Sequence, residues 1–179
     1  MPNGEIGELI VHGPVVTREY VTRVETNPIA KIGENGHVWH RMGDVGYLDE
    51  DGRFWFCGRK AHRVLTEEGT MYTVCCEAIT NQLAEIFRSA LVGVGSAGSQ
   101  TPVMICEPHK DQWPHSEQEC EALLQKIREQ CATSQLTAGI KPEHVLLHPS
   151  LPVDVRHNAK IFREELAVWA ETQLSCDVS

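Results

Sequence analysis

The chain has 179 residues, 41% of them hydrophobic, which is enough to bury one good core, or one small domain with part of another, but hardly two full domains. With 16 Lys and Arg against 25 Asp and Glu the net charge is −9, and no cluster of basic and aromatic residues offers a phosphate track, so nucleic acid is not expected as a partner. No apolar run approaches the roughly 20 residues that a membrane span requires. The seven irregularly spaced cysteines suit the reducing cytoplasm better than a disulfide framework.

The first third of the chain has the pattern of a small β-rich subdomain. Short apolar segments predict strands at residues 8–12, 15–24, 36–40, 45–48 and 53–57. The Asp-Glu-Asp-Gly cluster at 49–52 predicts a hairpin turn between the last two strands.

After Arg59 the apolar spacing changes, which indicates that a different domain begins there. Ser116 and Glu119 have capping-box spacing at the start of a helix. Helices are predicted at residues 74–87, 116–131 and 161–174, strands at 88–95, 102–107 and 144–148, and a polar loop at 149–159. The order β-hairpin, α, β, β, α, β, α predicts an α+β fold, in which a compact C-terminal domain with a small sheet flanked by helices follows a β-rich remnant of a larger domain.

Two residues of the first third have the chemistry to bind a nucleotide. Asp44, beside Gly43, has a carboxylate that can accept two hydrogen bonds from a ribose diol, although a turn-capping aspartate is the commoner role of such a residue. Arg59 follows Gly58 and offers a planar fork of donors that suits phosphate oxygens, although a surface arginine at a domain edge is the plainer interpretation.

The spacing of these residues resembles the adenylate-forming superfamily, which includes acyl-CoA synthetases, luciferases and peptide-synthetase adenylation domains. The matching motifs are GEIGE at 4–8, Gly-Pro at 13–14, MGDVGYLDEDG at 42–52 and Gly-Arg at 58–59. By this resemblance Asp44 holds the AMP ribose and Arg59 contacts ribose or phosphate. Residues 1–58 would end the large N-terminal domain, and residues 59–179 would form a mobile C-terminal domain.

The resemblance also implies a hinge and an acceptor-side turn. Family enzymes carry Asp or Lys two residues after the arginine, where the C-terminal domain turns between half-reactions; here that position is Ala61, and Lys60 can serve by a shift of one residue. Gly69 matches the glycine turn that faces the active site during thioester formation, although a simple β-turn explains it equally. The proline and paired acids that usually follow are absent at 74–79, which gives thioester formation little support.

Lys160 is the candidate catalytic residue. The segment RHNAKIFREEL at 156–166 resembles the family's ending, in which a lysine swings into the active site, although Ala159 stands in place of the usual glycine. Its ammonium would stabilise the negative charge that passes between the substrate carboxylate and the α-phosphate as pyrophosphate leaves. A lone lysine before a helix is usually solvated surface, but the distance of Lys160 from the hinge is close to that in the family.

The segments GRKAHRV at 58–64 and GTMYTVCCEAI at 69–79 look like the olefin β-lactone synthetase branch, of which long-chain fatty acid–CoA ligases are relatives. This implies a ligase that activates a fatty or β-hydroxy fatty carboxylic acid as acyl-AMP and then passes it to CoA or closes it to a β-lactone. ATP or AMP and Mg²⁺ would be bound mainly by the N-terminal domain of the same enzyme, because the family's phosphate loop does not occur in these residues. The chain is therefore interpreted as a C-terminal fragment that is inactive alone.

The same residues allow one other interpretation of the protein's function. A non-catalytic α+β binding or regulatory module derived from such a ligase would also lack the phosphate loop. A structural metal site is not expected, because neither a CxxC pair nor HExxH occurs in the sequence. Cys75 has no base nearby in sequence and is predicted to be a buried thiol at a helix start.

Overall fold

A computed structural model describes residues 2–156 and 160–176, with the backbone alone for Cys176. The chain forms two units, Met1–Ala61 and His62–Ser179. None of the helices in the described part of the chain has the length and apolarity of a membrane span.

The first unit is a four-stranded antiparallel sheet built on one long strand. Its elements are β1 (Gly7–Val11), a 3₁₀ turn at Val24–Thr26, α1 (Asn27–Ala30), β2 (Lys31–Glu34), β3 (His37–Leu48) and β4 (Phe54–Arg59). Strand β1 pairs with one edge of β3, and β2 and then β4 pair with the other. The strands predicted at 36–40 and 45–48 are thus one strand, which is irregular opposite β4 between Val45 and Gly46.

The strand predicted at 15–24 is wrong, because side chains satisfy the backbone there instead of a neighbouring strand. The amide of Asn27 accepts a hydrogen bond from Tyr20 N at 2.7 Å and donates one to Tyr20 O at 3.1 Å. Lys31 Nζ donates to Thr17 O at 2.7 Å. Such local side-chain bonds compete with strand pairing and hold the segment as a loop.

The second unit contains a three-stranded sheet and two short hairpins. A 3₁₀ turn at Lys60–His62 spans the boundary between the two units in sequence. The elements that follow it are β5 (Val64–Thr66), β6 (Gly69–Met71), α2 (Thr73–Thr80), β7 (Ile86–Val94), β8 (Thr101–Pro108), a 3₁₀ turn at Lys110–Gln112, α3 (Glu117–Ala132), a 3₁₀ turn at Pro142–His144, β9 (Val145–Leu147), β10 (Val153–Asp154), β11 (Lys160–Ile161) and α4 (Arg163–Cys176). Strand β8 pairs antiparallel with β7 and parallel with β9. Strands β5 with β6, and β10 with β11, form the two hairpins.

Both faces of the three-stranded sheet are buried, because successive residues of β8 point to opposite sides. Met104 and Cys106 pack in one cluster with Leu123 and Ile127 of α3. Val103 and Ile105 of the same strand pack in a second cluster, which includes Leu166 and Ala170 of α4. The predicted α+β fold, with a small sheet flanked by helices, is confirmed.

Three local predictions for this unit have different outcomes. The Ser116 half of the predicted capping box is confirmed, since Ser116 Oγ accepts from Glu119 N at 3.2 Å, while the Glu119 carboxylate accepts from His115 N at 2.8 Å. The helix predicted over 74–87 ends at Thr80, and Ile86 already belongs to β7. Cys75 is only half-buried, whereas its neighbour Cys76 is the buried thiol, with a pKa that burial raises to about 12.

Candidate functional site

Asp44 and Arg59 lie opposite each other in the pairing of β3 with β4. Arg59 Nη1 is 3.0 Å from Asp44 Oδ1 and also donates to the carbonyl oxygen of Met42 at 2.9 Å. Gly43 lies between Met42 and Asp44 and has a φ of +71°, a conformation that glycine adopts without strain. The structure therefore brings the two predicted nucleotide-binding residues together, as an acceptor and a donor side by side.

The Asp44 carboxylate is the less exposed member of this pair, with a side-chain exposure of 21% against 53% for Arg59. An arginine that is half exposed can turn its remaining donors to a phosphate, and a carboxylate can accept from hydroxyl groups. The pair thus has the chemistry for a ribose phosphate.

Lys60 forms an ion pair with Glu8 of β1, with 2.7 Å between Nζ and Oε2. Arg41 of β3 binds the same carboxylate oxygen. The hydrogen bond from Arg41, with help from Lys60, holds the pKa of Glu8 below its ordinary value. Ala61, the other candidate hinge residue, is exposed in the 3₁₀ turn after β4.

Gly69 begins β6 at the exposed tip of the β5–β6 hairpin, where its φ is +150°. Its N–H donates to Thr66 Oγ1 at 3.2 Å, and the Thr66 hydroxyl donates back to Gly69 O at 3.1 Å. A methyl group added at Gly69 would meet no atom within 4 Å. The space around this turn is open.

Lys160 is exposed on β11, opposite Asp154 of β10. The hairpin closes at its base with a hydrogen bond of 2.9 Å from Phe162 N to Pro152 O, and α4 begins at the next residue. The unusual Ala159 lies outside the described residues.

No protein-family model matches the chain. It is 47% identical over 176 residues to an olefin β-lactone synthetase of Stenotrophomonas maltophilia, with 96% of this chain and 31% of that protein covered. It is 46% identical over 175 residues to the enzyme of the same description from Xanthomonas campestris pv. campestris, with 95% and 31% covered. The chain is a homologue of adenylate-forming enzymes.

The solved structures agree with this kinship in their fold. An anthranilate CoA ligase in complex with anthranoyl-AMP superposes with a TM-score of 0.78 at 24% identity, covering 95% of this chain and 31% of that one. The chain spans about a third of the length of the proteins it matches. The resemblance predicted from the sequence motifs is confirmed.

Some contacts of the candidate site residues were not predicted from the sequence. Glu8 belongs to the quoted GEIGE motif, but its ion pairs with Lys60 and Arg41 were missed. The ion pair between the buried Glu77 and the partly buried Arg163 was also missed, and the only sequence signal was the charge of Glu77 within the apolar segment 74–79. Burial raises the pKa of Glu77, and the facing Arg163 guanidinium opposes that rise.

Residues 2–156 and 160–176 contain no group of three or more His, Cys, Asp or Glu side chains arranged to hold a metal ion.

Proposed function

We propose that the protein to which this chain belongs is an ATP-dependent ligase that activates a fatty or β-hydroxy fatty carboxylic acid as acyl-AMP. The observation that carries the proposal is the Asp44–Arg59 pair, within a sequence 47% identical to an olefin β-lactone synthetase. Asp44 accepts hydrogen bonds from the ribose hydroxyls of the nucleotide, and Arg59 donates to the ribose or phosphate. ATP and Mg²⁺ are bound mainly by an N-terminal domain of the same enzyme.

Lys160 acts on the reacting phosphate in this proposal. As the carboxylate oxygen attacks the α-phosphorus and pyrophosphate leaves, the ammonium stabilises the negative charge that develops between them. The exposed position of Lys160 on β11 supports this role, because the side chain is accessible to a substrate. Residues 1–58 and 59–179 are the proposed domains, with Lys60 and Ala61 as the hinge and Gly69 on the acceptor side.

The second half-reaction closes a β-lactone when the substrate carries a β-hydroxyl. That hydroxyl oxygen bonds to the acyl carbon, the bond from this carbon to the phosphate oxygen breaks, AMP leaves and the hydroxyl proton goes to solvent. Attack within one molecule has a large proximity advantage over attack by a separate thiol. Transfer to CoA is the other outcome.

The six described cysteines are free thiols, which suits a cytoplasmic enzyme.

A chimera tests the proposal, in which this chain replaces the matching 176-residue segment of the Stenotrophomonas relative. With ATP and a β-hydroxy fatty acid it should form AMP and a β-lactone without CoA, as read by mass spectrometry. Lys160→Ala should lower ATP–pyrophosphate exchange by about 10²–10³-fold, the usual cost of removing a group that stabilises transition-state charge, while ATP still binds.

Lys110→Ala is the control, since Lys110 is another exposed lysine of the same unit, and it should leave exchange unchanged. Unchanged exchange in Lys160→Ala would remove Lys160 from the mechanism. A thioester that forms only when CoA is added would replace the lactone assignment by a CoA ligase. A folded chimera that makes no acyl-AMP would support a non-catalytic module derived from a ligase.

A further inference from the structure

The hairpin that carries Lys160 is too short to hold its own shape. Strands β10 and β11 have two residues each, and an isolated two-stranded hairpin is marginal in water even when it is longer. Val155 and Arg156, which follow β10, are exposed, whereas Leu151 just before it is 2% exposed. The position of Lys160 therefore depends on how the base of this hairpin is anchored.

The chain that follows Lys160 is anchored by a bidentate ion pair between the partly buried Arg163 and the buried Glu77. Arg163, the first residue of α4, places Nη1 2.5 Å from Glu77 Oε1 and Nη2 3.0 Å from Glu77 Oε2. The same Nη1 donates to the carbonyl oxygen of Leu91 at 3.1 Å, and Leu91 N donates to Glu77 Oε1 at 2.8 Å. Arg163 is thus fixed at once to α2 and to the middle of β7.

The chain that precedes β10 is anchored by a second ion pair, which binds both the N–H and the carbonyl oxygen of one residue, Leu151. Arg88 and Glu107 face each other across β7 and β8, with 2.6 Å between Nε and Oε2. Leu151 N donates to Glu107 Oε2 at 2.8 Å, and Leu151 O accepts from Arg88 Nη2 at 3.3 Å. The side chain of Leu151 packs with Leu166 in the core below α4.

We infer that the Glu77–Arg163 and Arg88–Glu107 pairs are positioning residues that orient Lys160 for adenylate formation, an inference that rests on the proposed function of Lys160. Buried ion pairs seldom add stability over apolar residues of similar size. The bidentate contact of Arg163 with Glu77 instead fixes the orientation of the arginine, because both hydrogen bonds can be made in one orientation only. The two pairs attach the residues before β10 and after β11 to the same sheet.

Arg163→Lys tests this inference in the chimera described above, because lysine keeps the charge but loses the planar fork. We expect the kcat of pyrophosphate exchange to fall by about 10- to 100-fold, the loss typical of misplacing a catalytic group by an ångström or less. The KM values for ATP and acid should stay unchanged. In a Lys160→Ala background Arg163→Lys should cause no further loss, because the group that it orients is gone.

Arg128→Lys is the matched control, because Arg128 forms an ion pair of 2.6 Å with Glu121 on α3 and should tolerate the same change. A direct readout uses the 179-residue chain itself, in which Arg163→Lys should speed amide hydrogen exchange at Phe162, the residue that closes the hairpin. If Arg163→Lys does not fold, Glu107→Gln tests the attachment of the chain before β10, with the same comparison in the presence and absence of Lys160.

The outcomes separate the two proposals. Loss of exchange in Lys160→Ala together with full activity in a folded Arg163→Lys would overturn the positioning role and leave the proposed function intact. Equal fractional losses from Arg163→Lys with and without Lys160 would also overturn it, since they show a role unrelated to this lysine. No loss in Lys160→Ala itself would instead overturn the catalytic assignment on which the inference rests.

Discussion

At the scale of single residues, Asp49 orders the turn between β3 and β4. Its carboxylate accepts hydrogen bonds from Asp51 N at 3.0 Å, Arg53 N at 2.9 Å and Arg53 Nε at 2.7 Å. It also accepts from the indole Nε1 of Trp55 at 2.7 Å. With Gly52 at a φ of +75°, these bonds confirm the turn predicted from the Asp-Glu-Asp-Gly cluster.

This turn should lose order in acid. The indole of Trp55, followed by Arg53, lowers the pKa of Asp49 from its ordinary 3.8 to about 2. Because the folded value is the lower one, the contribution to stability is complete above the unfolded value and is lost as the pH falls toward 2. The indole N–H resonance of Trp55 should therefore shift with a midpoint near pH 2. Asp49→Asn should abolish that titration, and a resonance that titrates equally in both proteins would contradict the assignment.

Which site residues the sequence could reveal depends on how local their partners are. Asp44 and Arg59 end up paired because a single hairpin turn brings their strands together, so a motif of local spacing sufficed. Glu77 and Arg163 are 86 residues apart, and neither has a neighbour in sequence that predicts the other. Their contact depends on how α2 and α4 pack around β7, which periodicity alone does not specify.

At the scale of elements, the helix predicted over 74–87 failed at its end. Leu83 and Ile86 both pack in the core beside Cys76, so the apolar spacing continues past the last helical residue. The chain leaves the helix through turns, in which Leu83 N donates to Thr80 O and Ile86 N donates to Leu83 O. Buried positions in a turn followed by a strand can imitate a helical period, and only tertiary packing separates the two.

Gly46 makes the β3–β4 pairing possible. A methyl group built on it would lie 2.2 Å from Trp55 O and 2.6 Å from the ring of Phe54. We therefore expect Gly46→Ala to destabilise the first unit by about 1–3 kcal/mol, the usual cost of overpacking, as a lower urea midpoint. Gly33→Ala in β2 is the control, since its added methyl meets nothing within 4 Å and should leave the midpoint unchanged or raise it. Equal urea midpoints for both variants would show that β4 can move to accommodate the methyl group without loss of stability.

At the scale of the whole molecule, the two units have very different cores. Among the described residues of Met1–Ala61, the buried hydrophobic side chains are Val45 and Cys57, and all others in the described chain belong to His62–Ser179. The first unit also exposes large apolar side chains on its sheet. These include Ile10, Leu48, Phe54, Trp55 and Phe56. Burial of apolar area is the main favourable term in folding, so we expect the first unit to be the less stable of the two.

Amide hydrogen exchange on the 179-residue chain should show this difference directly. Amides in β3 and β4 should exchange through a lower free energy of opening than those in β7 and β8, because regions with few buried apolar contacts open first. Ile127→Ala, at a fully buried position of the second unit, should lower protection in β7 and β8 by about 2–5 kcal/mol, and leave β3 and β4 unchanged. If both sheets had equal protection and lost it together in that variant, they would form one cooperative unit, and the weak core of the first would have to be stabilised by the second.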